Sequence, residues 1–498
     1  MAIGIDNTKP DSVNLEILTL VNNEGEGFDI RDLMIECAIN ESITTNFLMG
    51  HLIIGDSINL LENAKIFGQE SLRVRFSQPA GINDETHEDD LIDQIFRIYK
   101  VEDVHRYDES TQFFKLYFTA NEFIESRRTR ISQAFSGSMT DIAAQIAEDN
   151  LDIKNENLNK KLVPYFEVRE KSQGEQYQVV IPNWTTNYTI NWLCSQAQGI
   201  DESSGLQDSF YWYQTANGGY RIQSLASMMD VEYAGGREFI YSPSLSGENT
   251  KNVPVDSTEG VVGASRRILA YDVSSHANIL EATVKGLFGS KQTTVDNTFQ
   301  FFTEKSYSFL EKFYGGQSQA IEEHPFVRTA NETLHIGESA SEGDVAISGS
   351  KEGKSISSYH DAHVMLVSDS SFVNDENNNI HQANHEIHLG SAQFRTAARE
   401  LLNYHTVDMV LSARTDISVG QLINTSVTAL RPGEEEVEPK FYNGKHLITN
   451  LQWVLRPEGC TLNVKCIKDS VINNIETTPI EYGDIKARTI VGVIFLDR

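Results

Sequence analysis

The histidine-rich segment HQANHEIH (residues 381–388) carries the residue types in this sequence that are best suited to chemistry. Its candidate ligands are His381, His385, Glu386 and His388. Spacings of four and three residues would bring three imidazoles to one face of a helix, as a zinc or iron site requires. The preceding stretch VNDENNNI is typical of turns, however, and argues against a helix. We therefore predict exposed loop histidines, and His360 and His363 could complete a metal site only through tertiary contact.

Two glycine-containing segments resemble functional motifs, but each lacks a part that its motif needs. Segment Gly349–Ser355 (GSKEGKS) has three residues between its glycines, whereas the backbone cradle of a phosphate-binding loop needs four. Segment Gly316–Ala320 (GQSQA) lacks the last glycine of a nucleophile elbow. The 71 acidic residues offer so many coincidental carboxylate pairs that a glycosidase pair cannot be inferred. We predict no catalytic, cofactor-binding or metal-binding residue, and a protein that is not an enzyme.

Length and composition indicate a folded chain of several domains. A chain of 498 residues is too long to fold around one hydrophobic core, and typical domain sizes suggest about three or four domains. Hydrophobic residues at 40% and charged residues at 22% are ordinary globular values. No apolar run is long enough to span a bilayer, and the N-terminus has neither the basic nor the apolar region of a signal peptide. We expect neither secretion by that route nor membrane insertion.

Cysteine usage and net charge narrow the classes of protein further. The four cysteines are too scattered for a disulfide framework or a zinc site, so we predict buried thiols in a reducing cytosol. A net charge of −30 argues against a protein that binds nucleic acid tightly, because lysine and arginine supply most of the affinity for phosphates. An acidic wall would still let DNA slide past without binding. Acidity that only keeps a large protein soluble is an equally good interpretation.

Residues 12–121 show the period-two pattern of β-strands. In SLRVRFS, Leu72, Val74 and Phe76 alternate with polar residues, which predicts a half-buried strand. QFFKLYFTA (112–120) predicts another strand, and FLMGHLIIG (47–55) predicts one that is covered on both faces. DSINLLENA predicts a short helix, and DETHEDDLID (84–93) an exposed loop. This region is interpreted as an antiparallel barrel or sandwich.

The middle of the chain changes to helical periodicity. SMTDIAAQIAEDNL predicts an amphipathic helix with Ser138 near its start, and NWTTNYTINWLCSQ predicts a second helix. FYWYQTANGGYRIQS predicts two strands around a turn, so residues 122–265 are expected to form a small α/β domain. Its aromatic residues are more typical of a core or an interface than of a ligand site.

A second β region begins near RRILAYDVSS and resumes after an interruption. GSAQFRTAARELLNYH predicts a helix, and the segments DISVGQLINTSV, YNGKHLITNLQWVL and TLNVKCIKDS predict strands and turns. Residues 300–389 are rich in Ser, Gly, Asn, Asp and Glu and are interpreted as a loop-rich insertion. The apolar segment RTIVGVIFL near the C-terminus predicts a strand that needs a partner.

The order of these segments resembles the phage tail baseplate hub family, which is related to the N-terminal part of the type VI secretion spike. SMTDIAAQIAEDNL, PNWTTNYTINWLCSQA with FYWYQTANGGYRIQS, EFIYSP, ILAYDVSS and the three C-terminal segments carry the resemblance. It implies a mainly β fold with α+β insertions, with two tail-tube-like antiparallel β-barrels and a small α/β domain. The implied boundaries are 1–121 for the first barrel, 122–265 for the α/β domain, 266–299 with 390–470 for the second barrel, 300–389 for the insertion and 471–498 for a C-terminal extension.

The resemblance also implies an assembly. Three copies would form a pseudo-sixfold ring that joins the tail tube to the central spike and lines the DNA exit channel. The implied partners are two further copies of the chain, the tail tube, central spike, tape-measure and baseplate wedge proteins, with DNA passing unbound. The implied location is the virion tail, after assembly in the cytoplasm of the host bacterium. Two alternatives stay open: a tail-associated cell-wall hydrolase whose site lies in 300–389, and a carbohydrate-binding virion protein.

Overall fold

The protein is described here by a computed structural model, and β-strands dominate it. The residues that the structure describes are 13–77, 91–151, 153, 166–168, 177–197, 199, 209–217, 219–228, 238–241, 268–276, 278–296, 301–308, 360–368, 372–374, 380–382, 391–412, 414–427 and 444–468. The mainly β class predicted from the sequence is confirmed. No helix among these residues is long and apolar enough to cross a membrane.

The N-terminal region consists of strands with one buried face. Its elements are β1 (Asn14–Val21), β2 (Gly27–Asp29), β3 (Met34–Ser42), β4 (Met49–Asp56), α1 (Leu60–Asn63), β5 (Ser71–Ser77), β6 (Ile92–Arg106) and β7 (Gln112–Ala120). Strands β5 and β7 have the predicted bounds. In β4, Leu52 and Ile54 are buried while His51 and Ile53 are half-exposed, so the prediction that both faces are covered is wrong. The predicted acidic loop is also wrong at its end, because Ile92 and Asp93 begin β6.

Helices and short strands alternate in the middle region. They are α2 (Asn121–Arg128), β8 (Arg130–Gly137), α3 (Met139–Leu151), β9 (Phe166–Val168), β10 (Tyr177–Thr185), α4 (Thr186–Gln196), β11 (Phe210–Thr215), β12 (Gly219–Ser224), α5 (Leu225–Met228) and β13 (Glu238–Tyr241). The predicted helix start is confirmed, because Ser138 Oγ accepts a hydrogen bond of 3.2 Å from Asp141 N. Ile142 and Ile146 of α3 and the stacked rings of Trp212 and Tyr220 belong to a separate hydrophobic core.

The C-terminal region returns to strands after several short elements. They are β14 (Ile268–His276), α6 (Ile279–Val284), β15 (Gly289–Asp296), β16 (Phe301–Ser308), β17 (Val364–Ser368), β18 (Phe372–Asn374), β19 (Ile380–Gln382), α7 (Ser391–Tyr404), β20 (His405–Ser412), β21 (Leu422–Val427), β22 (Gly444–Arg456) and β23 (Gly459–Ile467). The stripe predicted for α7 is confirmed, since Ala397, Ala398, Leu401 and Leu402 are buried. The predicted C-terminal strand at 488–496 lies outside the described residues.

Strands β16 to β19 lie within residues 300–389, where the sequence pattern predicted loops. β16, β15 and β17 form a small sheet, whereas β18 and β19 extend the sheet of β10 and β8. The buried face of β15 is polar, because it consists of Ser290, Gln292 and Thr294. Gln393 of α7 donates to Ser290 O at 3.0 Å and so satisfies part of this face. A strand with a polar buried face has no hydrophobic period to detect.

One long sheet contains both of the predicted β regions. Its strand order is β14-β20-β23-β22-β3-β4-β7-β6-β5-β1-β2, with β21 beside β22 and β13 beside β21. The two regions are therefore joined edge to edge through β3 and β22. Among the described strands the sheet is open, and neither region closes into a barrel.

The long sheet contains the same five-stranded arrangement twice. The order β3-β4-β7-β6-β5, here called the first β unit, is repeated as β14-β20-β23-β22-β21, the second β unit. Every neighbouring pair within both units is antiparallel. Taken in chain order, the strands of one unit correspond one to one with those of the other.

The register of the two units agrees at two of their irregularities. The ladder between β6 and β7 and the ladder between β22 and β23 have an extra residue at matching positions, Tyr99 in β6 and Thr449 in β22. The first strand of each unit also has an extra residue at matching positions, Ile35 in β3 and Leu269 in β14. Bulges are specific features of a strand pair, so their coincidence fixes which residues are equivalent.

The turn that enters the third strand is equivalent as well. The carbonyl oxygen of Glu70 accepts from Ile98 N at 2.9 Å, and that of Gln421 accepts from Ile448 N at 2.9 Å. The side chain of Glu70 also accepts from Phe67 N at 2.7 Å, and that of Gln421 accepts from Ser418 N at 3.2 Å. In both units the donor lies three residues before the acceptor. The two units therefore share backbone and capping geometry as well as strand order.

Candidate functional site at the seam between the two units

The seam is the antiparallel ladder between the two β units. It pairs Cys37–Ser42 of β3 with Asn450–Leu455 of β22. The same edge of β22 pairs with β21 through Gly444–Leu447. Because β22 is 13 residues long, one of its edges can serve a strand of each unit.

Large side chains join the two cores beneath the seam. Trp453 of β22 is fully buried, and its ring centroid lies 6.5 Å from that of Phe76 in β5, in an edge-on arrangement. Its indole Nε1 donates to Arg414 O at 2.9 Å, so the polar atom of this buried ring is satisfied. Residues of both units form one continuous hydrophobic cluster. The units are therefore expected to keep a fixed relative orientation.

Polar groups bridge the seam on its exposed side. Ser42 Oγ donates to Asn450 Oδ1 at 2.8 Å. Arg456 Nη2 donates to Glu36 Oε2 at 2.8 Å, and Glu36 also contacts His51 at 3.2 Å. Burial raises the pKa of Glu36, but the hydrogen bonds from Arg456 and His51 outweigh burial and leave this pKa below its ordinary value. The seam thus combines a buried apolar core with charged side chains at its rim.

Glu41 connects the middle region to the seam through hydrogen bonds on the buried side of the sheet. Its fully buried carboxylate accepts from Ala216 N at 3.0 Å and from Val419 N at 2.9 Å. Burial raises the pKa of Glu41 to about 7, although these hydrogen bonds and the charge of Arg221 lower it. One side chain of the first unit therefore holds the turn after β11 and the turn before β21.

An open cleft of about 570 Å³ lies on the polar face of the sheet at the seam. Its polar lining includes Asn40, Asp272, Asp408, Gln452, Asn463 and Lys465. In register, Asp408 lies opposite both Asp272 and Lys465. Amides and charges of both signs can take part in hydrogen bonds with a partner surface.

The predicted histidine cluster lies mostly outside the described residues. His381 falls in β19, opposite Val373, whereas His385, Glu386 and His388 are not described. His360 begins a 3-10 turn, and His363 Nδ1 donates to Val284 O at 3.0 Å. Within the part of the chain that the structure covers, no three His, Cys, Asp or Glu residues are placed to hold a metal ion. Segments 316–320 and 349–355 also lie outside that part.

The cysteines and the aromatic segment FYWY lie in the core, as the sequence analysis predicted. All four cysteines are free and buried. Burial raises the pKa of the Cys37 and Cys194 thiols to about 12, so both are neutral and unreactive at neutral pH. Trp212 and Tyr213 are buried, and Trp212 Nε1 donates to Asn187 Oδ1 at 3.1 Å. These rings belong to the core.

Sequence reasoning missed Glu41 and the seam itself. The alternation in β3 that places Cys37 and Ile39 inward continues to Glu41, so a carboxylate at an inward position was the available signal. The pairing of β3 with β22 joins residues about four hundred positions apart, and no local pattern encodes it. His446 was also missed, although it lies inside an apolar strand where a histidine must be buried.

Comparison with known proteins gives structural matches only. No protein-family model and no curated protein matches the chain. A tail protein from Neisseria meningitidis MC58 matches with a TM-score of 0.45 and 10% identity, covering 92% of this chain and 98% of that chain. The 43 kDa tail protein of prophage MuSo2 from Shewanella oneidensis matches with a TM-score of 0.44 and 11% identity, covering 91% and 98%.

A third match is a component of a bacterial secretion system. It is an Escherichia coli component of the type VI secretion system, described as structurally similar to the T4 bacteriophage tail proteins gp27 and gp5. Its TM-score is 0.40 at 8% identity, and the match covers 94% of this chain and 79% of that chain. These three solved structures are two tail proteins, one of them from a prophage, and a type VI secretion component.

Proposed function

We propose that the chain is a structural subunit of a phage tail baseplate hub, in which three copies form a pseudo-sixfold ring. The ring joins the tail tube to the central spike. Each β unit takes the place of one tube-type barrel, and the middle region lies beside this ring. In this role the chain contributes surfaces and no catalysis.

The repeated β unit is the observation that carries the proposal. Two units with the same strand order, two matching bulges and the same turn capping are joined by an edge-to-edge ladder within one chain. Three such chains bring six similar units into one ring, so that a threefold assembly can meet a sixfold partner. Closed rotational symmetry also satisfies strand edges without open-ended aggregation.

The charge of the exposed sheet face agrees with a passage for DNA. Lysines on this face, such as Lys100, lie among carboxylates such as Glu102, whose oxygen is 2.7 Å from Lys100 Nζ. The whole chain carries a net charge of −30, which disfavours stable binding of a polyanion. We propose that DNA passes without stable binding and that the tube, spike, tape-measure and wedge proteins are the partners, in the virion tail assembled in the host cytoplasm.

Sedimentation of the purified full-length chain tests the proposal. We expect a particle with three times the 55.9 kDa mass of one chain, stable on dilution. A stable monomer or dimer would overturn the ring.

The absence of catalysis has its own test. We expect the purified chain to release no fragments from peptidoglycan. Release that is lost in His385→Ala would instead establish a hydrolase.

A further inference from the structure

Two strand edges remain once the seam is formed. Strand β14 pairs with β20 on one side, and no described strand pairs with its other side; β13 lies near β14 but pairs with β21. On the long strand β6, the ladder with β5 ends at Arg97, and the turn at Glu70 accepts from Ile98 N. From Val101 to Arg106, β6 pairs only with β7 in the part of the chain described. Exposed strand edges need a partner or a block against association.

These two edges are the counterparts of the strands that form the seam. Aligning the units at their shared bulges makes β14 equivalent to β3, and the second half of β6 equivalent to the second half of β22. The seam therefore uses one edge from each unit, and among the described strands its two counterparts have no partner. A contact that is already made within the chain can be repeated between chains.

We propose that β14 of one copy pairs antiparallel with Val101–Arg106 of β6 in the next copy, through the same ladder that joins β3 to β22. This inference rests on the proposed ring and names the residues that close it. Carrying the register of the seam onto the equivalent residues places Asp272 opposite His105, since Ala38 lies opposite Val454. It places Ser275 opposite Glu102.

An irregularity shared by the two edges supports the match independently. Between Asp272 and Ser275, β14 has one residue more than β3 has at the equivalent level. Between Glu102 and His105, β6 also has one residue more than β22. An extra residue in one strand alone would shift the register of every later pair. An extra residue in both strands at the same level leaves the ladder in register.

Charge also favours the pairing of β14 with β6 of a second copy. Asp272 and Asp408 lie directly opposite each other on neighbouring strands, an arrangement that is unfavourable for two like charges. In the proposed ladder, His105 of the next copy comes to the side of Asp272 that faces away from Asp408, where its imidazole can donate a hydrogen bond to the carboxylate. Val104 is 53% exposed in the single chain, and the same pairing would cover it. A second copy thus supplies both a hydrogen-bond donor to Asp272 and an apolar contact for Val104.

Disulfide trapping of the full-length chain tests the register. In Asp272→Cys/His105→Cys, oxidation is expected to link three chains into a closed covalent trimer that reduction returns to single chains. Each single variant is expected to stay unlinked, because the four native cysteines are buried. The off-register pair Leu269→Cys/His105→Cys should not link, since three residues of strand exceed the reach of a disulfide. Ser42→Cys/Asn450→Cys, whose native side chains touch across the seam, is the intrachain control for oxidation.

The outcomes separate this inference from the proposed function. A trimer by sedimentation that links through Asp272→Cys/His105→Cys supports both. A trimer that fails to link there, or that links through the off-register pair, overturns the register and leaves the ring standing. A monomer overturns both. Independently of cysteine chemistry, Asp272→Arg is expected to weaken trimer association by about tenfold or more, whereas Glu148→Arg on the exposed side of α3 should leave it unchanged.

Discussion

The two β units have the same strand order and share two bulges, yet they differ in what is inserted between their first and second strands. In the first unit, β3 and β4 are separated by six residues, 43–48. In the second unit, residues 277–404 lie between β14 and β20, and they include α6, β15 to β19 and α7. An antiparallel pair accepts such an insertion because the ladder, and not the connection, fixes the register.

The cores of the two units fill equivalent positions with different residues. Gly50 in β4 lies opposite Phe118 in β7, and the equivalent pair in the second unit is Val407 opposite Cys466. A glycine beside a phenylalanine and a valine beside a cysteine place similar bulk at the same level. Packing is thus conserved as total volume, while the individual residues change.

The largest expected effect comes from Gly50→Ala. A Cβ at this position would lie 2.2 Å from Ala38 O and 2.4 Å from Phe118 Cζ, so the backbone of β3 must shift. We expect the free energy of unfolding to fall by about 4 kcal/mol, measured by denaturant titration. Gly27→Ala is the matched control, because a Cβ there meets only Thr19 Cγ2 at 3.5 Å. Equal stability of the two variants would show that the units need no compensating volumes.

Glu41 is expected to make the first unit more stable in acid. Its pKa of about 7 in the folded chain exceeds the ordinary value of 4.5, so the folded state binds the proton more tightly. This stabilisation is complete below about pH 4.5 and is lost as the pH rises through 7. The difference in unfolding free energy between wild type and Glu41→Gln should therefore fall by about 3 kcal/mol between pH 4.5 and 7.5. A constant difference would refute a titrating Glu41.

His446 in β22 is expected to give the second unit the opposite response. Burial, with the charges of Lys468 and His405, lowers the pKa of His446 to about 3. Its contribution to stability is present above the ordinary value of 6.5 and declines as the pH falls below it. The equivalent residue in the first unit is Phe96. Relative to His446→Phe, the wild type should lose about 2 kcal/mol of unfolding free energy between pH 6.5 and pH 5. Parallel pH profiles would contradict this.

The smallest expected effect is at the rim of the seam. Arg456→Gln removes the pair with Glu36, in which the arginine side chain is 47% exposed. An exposed ion pair contributes about 0.2 to 1 kcal/mol, so we expect a loss within that range that shrinks in high salt. A loss of several kcal/mol would mean that charge, and not the core around Trp453, holds the two units together.

Local patterns predicted the elements but not their assembly. β5, β7, α3 and α7 were predictable because each buries one face against a core, which leaves a clean period of two or 3.6. β15 to β17 were not, since Ser290, Gln292 and Thr294 give their sheet a polar buried face. The resemblance implied two similar β regions, but local patterns do not show the repeat. Equivalent core residues differ, as Phe118 and Cys466 do, and the bulges and ladders that reveal the repeat depend on long-range pairing.

Image averaging of the purified oligomer by electron cryomicroscopy tests the central claim most directly. We expect three chains to form one ring of six similar lobes around a common axis, each lobe being one β unit. Particles with one or two chains, or with β units that share no axis, would contradict the account.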